Sequence, residues 1–434
     1  MKRKRFYFDY AATTPLDKKV FLKMKPYLED NFGNPSNLYE AGRKANQAVG
    51  EATDKITKAL NCAPDEFIFT SGATEADNLA IAGIARANKE FGNKIIISAV
   101  EHKGIMSVCD ALKKEGFEIV KIPVNKFGLV DLKKLKKEIN SKTILVSITY
   151  ADSETGTIQP IAKISEIIMN FRKESGIKNQ ESGRKNFIIP NSSSMIPLLH
   201  TDASQAASYL NINVKNLGID LMTLSAHKIY GPKGIGGLYI KKGIKIKPII
   251  YGGGQQSLRS GTQNVPAIVG FGEVMALAQK NKKSEYSRVK KLRDKLEKRI
   301  SKTIPKIVLN GHPKNRLPNF LNISILDIEG EALLLYLDEK GIAVGTGSAC
   351  NSENLEPSYV LAALGRPYEY IHGSIRFSLG KFTKDSDIDY VLKNLPEMVK
   401  KLRQISPLNL KIKNPQKISQ PKAFVGGKAP RFVK

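Results

Sequence analysis

Three side chains in this sequence have the types and spacing for joint covalent chemistry: a lysine, an aspartate and a cysteine. Lys228 ends the motif SAHK, Asp202 lies upstream in the motif HTDASQ, and Cys350 ends the glycine-rich motif GTGSAC. An unprotonated lysine can form a Schiff base with an aldehyde cofactor, and a carboxylate beside a pyridine nitrogen keeps that ring cationic and able to accept electrons. The set predicts a pyridoxal-phosphate enzyme whose cysteine carries sulfur.

The separation of Asp202 and Lys228 fits one strand, a crossing helix and a second strand. The first strand would end at Asp202 and the second near Ser225. Open α/β sheets bind their ligands at the carboxyl edge, where the ends of neighbouring parallel strands meet. We therefore expect both side chains to emerge at that edge.

A third segment suits a phosphate group. The motif SGATE (residues 71–75) follows a strand that ends at Thr70 and opens a helix. Free backbone N–H groups at a helix N-terminus, as at Ala73, attract anions, and Thr74 would add a hydroxyl donor. A junction of this kind is by itself most often structural, so its weight comes from agreement with the other motifs.

Around these motifs, short β-branched runs alternate with amphipathic segments. The alternation predicts an α/β fold with a mostly parallel sheet wrapped by helices in a large domain. A long charged helix from about residue 265 to 300 ends this pattern, and a smaller α+β domain is expected after it. The predicted strands lie at 66–70, 94–98, 117–121, 143–148, 198–202, 220–225 and 236–240, then at 322–325, 342–344 and 374–378.

The expected domain boundaries follow from these patterns. Residues 14–264 would form the large cofactor-binding domain, with a polar surface insertion at 177–199. Residues 1–13 would join 265–405 in the small domain, which carries the cysteine on a glycine-rich mobile loop. Residues 406–434 are basic and poor in apolar side chains, so we expect a flexible tail or a partner-binding extension.

The composition is that of an ordinary globular enzyme. The 434 residues, 41% of them hydrophobic, can bury a large core and favour two domains. Three cysteines without regular spacing indicate neither a disulfide framework nor a zinc site, and the histidines show no ligand spacing, so no metal is predicted. We see neither an export signal nor a membrane span and expect a cytoplasmic enzyme.

The net charge of +28 would attract polyanions such as RNA or acidic protein surfaces. The lysines are scattered along expected helix faces, however, and such runs are usually solvated surface. Since no aromatic-interleaved basic motif accompanies them, we do not expect direct nucleic-acid binding.

Taken in order along the chain, these motifs resemble those of the cysteine desulfurases, in the branch that serves iron–sulfur cluster assembly. The resemblance runs from about residue 6 to 405. It implies the class V aminotransferase version of the type I pyridoxal-phosphate fold, usually as a homodimer with composite active sites. The motifs that carry it are FDYAATTP (8–15), FGNPS (32–36), SGATE (71–75), EHK (101–103), HKIYGPKG (227–234), RSGT (259–262) and GSAC (347–350).

The resemblance implies a role for each catalytic residue. Lys228 would be the Schiff-base lysine, Asp202 the partner of the pyridine nitrogen, and His102 a proton-transfer residue over the cofactor ring. Cys350 would take sulfur from L-cysteine as a persulfide, so that L-alanine is released. The sulfur would then pass to an acceptor protein of iron–sulfur cluster assembly or tRNA thiolation.

The remaining implied contacts are with the cofactor and the substrate carboxylate. A planar guanidinium such as that of Arg376 can hold a carboxylate through two parallel hydrogen bonds, and Asn34 would assist it. The implied cofactor contacts are Gln205 on the ring oxygen, Ala73, Thr74, Ser225 and His227 on the phosphate, and Thr262 on the phosphate from the neighbouring subunit.

The sequence departs from the family pattern at two places. Ser153 stands in the motif DSETG where the family commonly has asparagine beside the cofactor, and its hydroxyl can still donate a hydrogen bond with a shorter reach. The loop at residues 255–258 is shorter than usual before the motif RSGT. Both changes bear on cofactor affinity or rate.

Two other functions are compatible with the residues. A related lyase acting on selenocysteine or a cysteine derivative would differ in its dependence on Cys350. A non-catalytic scaffold would use the fold and its positive charge to hold RNA or a protein partner. The joint presence of Lys228, Asp202, His102 and Cys350 argues against the scaffold.

Overall fold

The computed structural model describes residues 5–181, 196–346 and 357–410. The segment that contains Cys350, most of the expected insertion and the tail beyond residue 410 therefore lie outside the described residues.

Strands and helices alternate along the described chain, which confirms the predicted α/β class. The strands are β1 (Phe6–Tyr7), β2 (Phe67–Thr70), β3 (Lys94–Ser98), β4 (Glu118–Ile122), β5 (Thr143–Ser147), β6 (Leu198–Asp202), β7 (Leu221–Ser225), β8 (Gly236–Ile240), β9 (Ile307–Asn310), β10 (Phe320–Ile325), β11 (Ile342–Ala343) and β12 (Ser374–Ser378). The helices are α1 (Lys18–Leu28), α2 (Glu40–Leu60), α3 (Ala73–Asn78), α4 (Ile84–Ala87), α5 (Lys103–Lys114), α6 (Leu132–Glu138), α7 (Ile161–Glu181), α8 (Val214–Leu217), α9 (Val265–Thr303), α10 (Gly330–Glu339), α11 (Tyr359–Ala363), α12 (Tyr368–His372) and α13 (Asp385–Ile405).

The main sheet of the described chain has seven strands in the order β2-β8-β7-β6-β5-β3-β4. The neighbours from β7 to β4 pair in parallel, and β8 runs antiparallel to both β7 and β2. Every residue of β3, β5, β6, β7 and β8 is buried, as expected where helices cover both faces. The sheet is therefore mostly parallel, with β6 and β7 side by side near its middle.

Alternation along the strands divides the large core into two layers. On β3, Ile96 packs in the layer that includes α2, α7 and the first part of α9, while Ile95 and Ile97 pack in the layer formed with α3, α4 and α5. Successive side chains of a strand point to opposite faces, so the apolar run is buried on both sides.

A second core lies around the antiparallel sheet β12-β10-β9. Phe6 and Phe8 are buried in this core, and β1 pairs in parallel with β11. The N-terminal segment thus packs with the C-terminal part of the chain.

The long helix α9 connects the two cores. Its residues from Val265 to Met275 pack in the large core, and those from Val289 to Ile300 pack in the second. The change of core falls inside a continuous helix, further along the chain than the expected boundary at residue 264.

The expected insertion is also narrower at its edges than the range 177–199. α7 continues to Glu181, and β6 begins at Leu198. The apolar residues Leu198 and Leu199 are buried in the sheet as part of β6. This strand therefore begins before residue 199, where the polar insertion was expected to end.

Within the described ranges, no helix has both the length and the apolar character needed to cross a membrane.

Candidate active site

Lys228 and Asp202 lie at the carboxyl ends of neighbouring strands. Asp202 is the last residue of β6, Ser225 is the last residue of β7, and residues 226–228 continue as a 3-10 turn. The strands pair in parallel with Asp202 opposite Thr223. The structure therefore places the predicted lysine and carboxylate at one edge of the sheet.

The segment between β1 and α1 crosses this edge and contacts Lys228. Lys228 Nζ donates hydrogen bonds to the carbonyl oxygens of Ala11 at 2.6 Å and Ala12 at 2.8 Å. Gln205 Nε2 donates to the same Ala11 carbonyl at 2.9 Å. Two residues expected to contact the cofactor thus share one backbone acceptor.

His102 lies at the start of α5 and is held in one orientation. Its Nδ1 accepts a hydrogen bond from the backbone N–H of Gly104 at 3.1 Å, so the ring proton belongs on Nε2 when the imidazole is neutral. The residue keeps solvent-accessible surface, but the surrounding protein still desolvates the ring and lowers the pKa of His102. The positive charge of Lys228 acts in the same direction, against the opposing charge of Asp202. His102 is therefore neutral at neutral pH.

The preceding residue, Glu101, is a fully buried carboxyl group. Its Oε1 accepts hydrogen bonds from Ser98 Oγ at 2.5 Å and from the backbone N–H of Thr149 at 2.8 Å. Burial raises the pKa of Glu101 to about 8, and the charge of Asp202 adds to the rise. At neutral pH this carboxyl group therefore keeps its proton.

Beneath Asp202, His200 and Asp77 form a buried polar layer. His200 Nδ1 lies 2.8 Å from Ser147 Oγ, and its Nε2 lies 3.0 Å from Thr223 Oγ1 and 3.7 Å from Asp77 Oδ1. Burial lowers the pKa of His200 to about 4 and raises the pKa of Asp77 well above its usual range. The contact between them is therefore between neutral groups.

The phosphate site predicted at residues 71–75 meets the end of β7. Ser225 Oγ is buried and has no hydrogen-bond partner among the described residues. A Cβ on Gly72 would meet nothing within 4 Å, so there is open space at the start of α3. Buried hydroxyl groups are normally hydrogen-bonded, and a phosphate oxygen would accept the hydrogen bond that Ser225 Oγ lacks here. Ser225, Asp202 and Lys228 together fit pyridoxal phosphate.

His227 contacts the N-terminal segment with its ring. Its Nδ1 lies 3.0 Å from Thr13 Oγ1. Burial and the charges of Lys228 and Lys233 lower the pKa of His227 to about 4. The neutral ring can offer an N–H to a phosphate, but it brings no positive charge.

Thr262 lies near the phosphate segment, and Thr74 is an exposed residue of that segment. Thr262 lines a cavity of about 150 Å³ together with Ser71. Glu75 orders the segment, since its Oε2 accepts from the Ser71 backbone N–H at 2.9 Å and its Oε1 lies 3.1 Å from Arg259 Nε. The motifs SGATE and RSGT are thus joined within one chain.

Arg376, on β12, belongs to the second core but reaches the sheet edge. Its Nη1 donates to the Ser153 carbonyl oxygen at 2.9 Å, and its Nη2 donates to Asp9 Oδ1 at 2.7 Å. Ser153 takes part through its backbone, so this contact does not depend on the serine side chain.

Asn34 is held against the shortened loop. Its Oδ1 accepts from the Ser36 backbone N–H at 3.0 Å and from Gln255 Nε2 at 3.1 Å. The next residue, Gln256, pairs with both the N–H and the C=O of Phe69 on β2. Within the described residues, no hydrogen bond or ion pair joins Asn34 to Arg376, so the two predicted carboxylate-binding residues stand in separate networks.

The loop that contains Ser153 is tied down on both sides. Asp152 Oδ1 accepts from the backbone N–H groups of Glu154 and Thr155, which closes a tight turn. Glu154 is buried, and its Oε2 accepts from Ser358 Oγ at 2.7 Å at the start of α11. Burial and the charge of Asp152 raise the pKa of Glu154 to about 7.

Four residues of this region had no role predicted from the sequence. Asp9 and Glu101 stand inside motifs that carried the resemblance. Asp77 lies just after the motif SGATE, and Glu154 lies in the motif DSETG, which departs from the family pattern. Their positions in or beside these motifs were the signal that could have predicted them as site residues. What they contact depends on the fold. Cys350 lies outside the described residues, and its role stays a prediction.

Comparison with known proteins agrees with this geometry. The family model for "Aminotransferase class-V" matches residues 6–174 and 194–391. The chain is 46% identical over 408 residues to "Cysteine desulfurase IscS" of Dictyoglomus turgidum, covering 94% of this chain and 97% of the relative. It is 39% identical to "Cysteine desulfurase" of Homo sapiens, covering 93% of this chain and 83% of that protein.

A solved structure titled "NIFS-LIKE PROTEIN" superposes with a TM-score of 0.82 at 34% identity, covering 92% of this chain and all of that one. The gap between the two matched segments of the family model, 175–193, falls where the polar insertion was expected. The chain belongs to the pyridoxal-phosphate-dependent class V aminotransferases and, within them, to the cysteine desulfurase family.

Proposed function

We propose that this chain converts L-cysteine to L-alanine and holds the removed sulfur as a persulfide on Cys350. The observation that carries the proposal is the meeting of Lys228, Asp202 and the unpaired Ser225 hydroxyl at the carboxyl ends of β6 and β7. Pyridoxal phosphate bound there supplies an electron-accepting ring. The protein residues around it then bind, orient and move protons.

The proton-handling groups are Lys228 and His102. Lys228 Nζ would take the proton from Cα of L-cysteine. His102 is neutral at neutral pH, so it can accept or return a proton at the reacting atoms. Asp202 would bond the proton on the pyridine nitrogen, beside Asp77 and Glu101, whose pKa values are raised by burial.

Cys350 receives the sulfur. Its thiolate attacks the substrate sulfur, an S–S bond forms, and the C–S bond breaks with its electrons remaining on the carbon side. Protonation of that carbon completes L-alanine. A free thiol with a pKa of about 8.5 is only a few per cent ionised at neutral pH, so a group of the site must take up the thiol proton.

The substrate carboxylate binds Arg376, assisted by Asn34. The Arg376 guanidinium is fixed by Asp9 and Ser153 and still offers further N–H donors. Ser225, His227 and the segment of Ala73 and Thr74 would hold the phosphate, Gln205 would contact the ring oxygen, and Ser153 would contact the cofactor.

The sulfur leaves the enzyme for an acceptor protein. The GSAC form of the cysteine motif supports an iron–sulfur scaffold as the acceptor, with a tRNA-thiolation enzyme as the second choice. The proposed location is the cytoplasm. Direct nucleic-acid binding is not part of the proposal.

A homodimer is the proposed assembly. The described chain leaves Phe32 81%, Leu38 88% and Tyr251 77% exposed, and we call these three residues the apolar patch. The hydrogen bond between Asn34 and Gln255 brings their segments together. Exposed apolar patches of this kind mark protein interfaces, and this one adjoins the segment from which Thr262 would reach the neighbouring subunit.

The proposal is tested by measuring alanine and sulfide released from L-cysteine under reducing conditions in the presence of pyridoxal phosphate. The unmodified protein is compared with Lys228→Ala and Cys350→Ser. We expect activity only in the unmodified protein. A fully active Cys350→Ser variant would exclude the persulfide, and activity on selenocysteine alone would favour the related lyase instead.

A further inference from the structure

The guanidinium of Arg376 is positioned by an acidic side chain from the opposite end of the chain. Arg376 is on β12, and Asp9 lies just after β1. Their side chains are 12% and 20% exposed, and Asp9 Oδ1 lies 2.7 Å from Arg376 Nη2. The pair is therefore sheltered from solvent at the point where the second core meets the sheet edge.

Asp9 is itself held by the backbone around it. Residue 9 forms a parallel bridge with Ser378, two residues after Arg376 on the same strand. The preceding residue, Phe8, has a fully buried side chain, and its backbone N–H donates to the Ala343 carbonyl oxygen at 2.8 Å. The carboxylate of Asp9 is thus presented from a fixed backbone.

Gly345 leaves the room that the pair occupies. A Cβ at this position would lie 2.7 Å from Arg376 Nη2 and 2.9 Å from Asp9 Oδ1. Such distances are too short for real atoms, so any side chain at Gly345 would displace one partner or the other.

Asp9 occupies only part of the hydrogen-bonding capacity of Arg376. A guanidinium carries five N–H groups. Within the described residues, the side chain donates one hydrogen bond to Asp9 and one to the Ser153 carbonyl oxygen, and Nε has no partner. The remaining N–H groups are left for another acceptor, while the two existing bonds fix the plane of the group.

We infer that Asp9 is a positioning residue for recognition of the substrate carboxylate: it holds Arg376 in the orientation that accepts an α-carboxylate. This inference rests on the proposed function, in which Arg376 binds that carboxylate. A long arginine side chain loses rotamer freedom when it is ordered, and ordering it before the substrate arrives removes that loss from binding.

Positioning and simple electrostatics predict opposite effects when Asp9 is removed. A negative charge near Arg376 opposes a second carboxylate, so its removal alone would tighten carboxylate binding. Loss of positioning weakens the same binding. The direction of the change therefore decides between the two roles.

The experiment measures equilibrium binding of L-alanine and of ethylamine to the cofactor-loaded protein through the absorbance of the bound cofactor. The two ligands differ only by the carboxylate. In Asp9→Ala we expect the dissociation constant for L-alanine to rise at least about tenfold, as for loss of a hydrogen bond to a charged group, while that for ethylamine is unchanged. The KM for L-cysteine should rise with it, with a smaller effect on kcat.

Two further variants test the same geometry. Asp9→Asn keeps an accepting oxygen without the charge, so it should restore L-alanine binding to near the unmodified value. Gly345→Ala crowds the pair and should weaken L-alanine binding selectively. As a matched control, Asp385→Ala removes an exposed acidic partner of Lys295 and should change neither ligand.

Unchanged or tighter L-alanine binding in Asp9→Ala would overturn the inference, as would equal weakening of both ligands. The proposed function is judged separately by Arg376→Ala and by turnover of the unmodified protein. Suppose that the unmodified protein turns over L-cysteine and that Arg376→Ala loses its preference for L-alanine over ethylamine. If Asp9→Ala keeps that preference, only the proposed role of Asp9 is wrong. If the unmodified protein does not distinguish L-alanine from ethylamine, both fail.

Discussion

His102 combines an accepting Nδ1 with a pKa that is lowered chiefly by desolvation. The imidazole of His102 can accept a proton from the reacting atoms only when it is neutral, and it is neutral above its pKa. We therefore expect the acidic limb of kcat/KM for L-cysteine to have its midpoint below about 6.5, the ordinary value for histidine. The measurement is kcat/KM against pH.

The matching variant is His102→Gln, which keeps a polar side chain without a titrating group. It should lose this limb and reduce kcat/KM by about 10²-fold or more, as for loss of a general acid–base group. A limb that persists in the variant would assign the titration to another residue.

Glu101 makes a second residue-scale prediction, on stability. Burial raises its pKa from 4.5 to about 8 in the folded chain. Folding thus favours the protonated form of Glu101. Its contribution to the free energy of unfolding is complete below pH 4.5 and is lost progressively as the pH rises to about 8. In Glu101→Gln the oxygen that accepts from Ser98 and Thr149 is retained, but nothing titrates.

The check is urea denaturation of the cofactor-free unmodified protein and the Glu101→Gln variant from about pH 5 to 9, a range that spans the raised pKa. The free energy of unfolding of the unmodified protein, relative to the variant, should fall as the pH rises to about 8 and level off above it. A difference that is constant with pH, or that grows in favour of the unmodified protein, contradicts a neutral buried Glu101.

Residue spacing predicted part of the site and missed another part for a physical reason. Asp202 and Lys228 were predictable because strand ends are local features and parallel strands align them. Asp9 was not, because its partner Arg376 is 367 residues away and only the fold of the two chain ends brings them together. The same holds for Glu154 and Ser358, which are 204 residues apart.

At the scale of elements, the turn at residues 152–156 joins the two cores. Asp152 closes the turn, and Gly156 adopts a φ of +75° with its backbone N–H bonded to the Asp152 carbonyl oxygen. A Cβ on Gly156 would lie 2.5 Å from the Cβ of Phe320, a fully buried residue of β10. This position therefore requires glycine for both backbone and packing reasons.

The backbone and packing effects at Gly156 can be measured separately if a second glycine with a positive φ but no close neighbour is also substituted. Gly116 has a φ of +88°, but a Cβ on it would meet nothing within 4 Å. Both Gly→Ala variants should lose about 1–2 kcal/mol from the left-handed backbone, and Gly156→Ala should lose a further roughly 1–3 kcal/mol from overpacking. Equal losses in chemical denaturation would show that Phe320 gives way without strain.

Elements with a strong local pattern were predicted closely, and those that depend on tertiary pairing were not. The run at 94–98 is β3 as expected, because three consecutive isoleucines fill its centre. The two-residue strand β1 has too little pattern to be found, and it exists because it pairs with β11. The long helix α9 was found, but its passage from one core to the other was not visible in its sequence.

At the scale of the whole molecule, the positive charge and the apolar patch predict different partners. The net charge of +28 is spread over the chain, and seven basic residues lie in the segment 411–434, outside the described residues. The apolar patch is local, since Phe32, Leu38 and Tyr251 lie on two segments joined by the Asn34–Gln255 hydrogen bond. A local apolar surface favours a specific contact, whereas a diffuse charge does not define one.

The patch predicts that a charge placed in it separates the proposed homodimer. Leu38→Glu would bury an unpaired carboxylate in the interface, a change that strongly disfavours association. We expect sedimentation equilibrium to show a dimer for the unmodified protein and a shift to monomer for Leu38→Glu. The control is Leu335→Glu on α10, where the leucine is 65% exposed, and it should stay dimeric. A dimer that survives Leu38→Glu but not Leu335→Glu would move the interface to α10, and Thr262 would then have no route to a neighbouring phosphate.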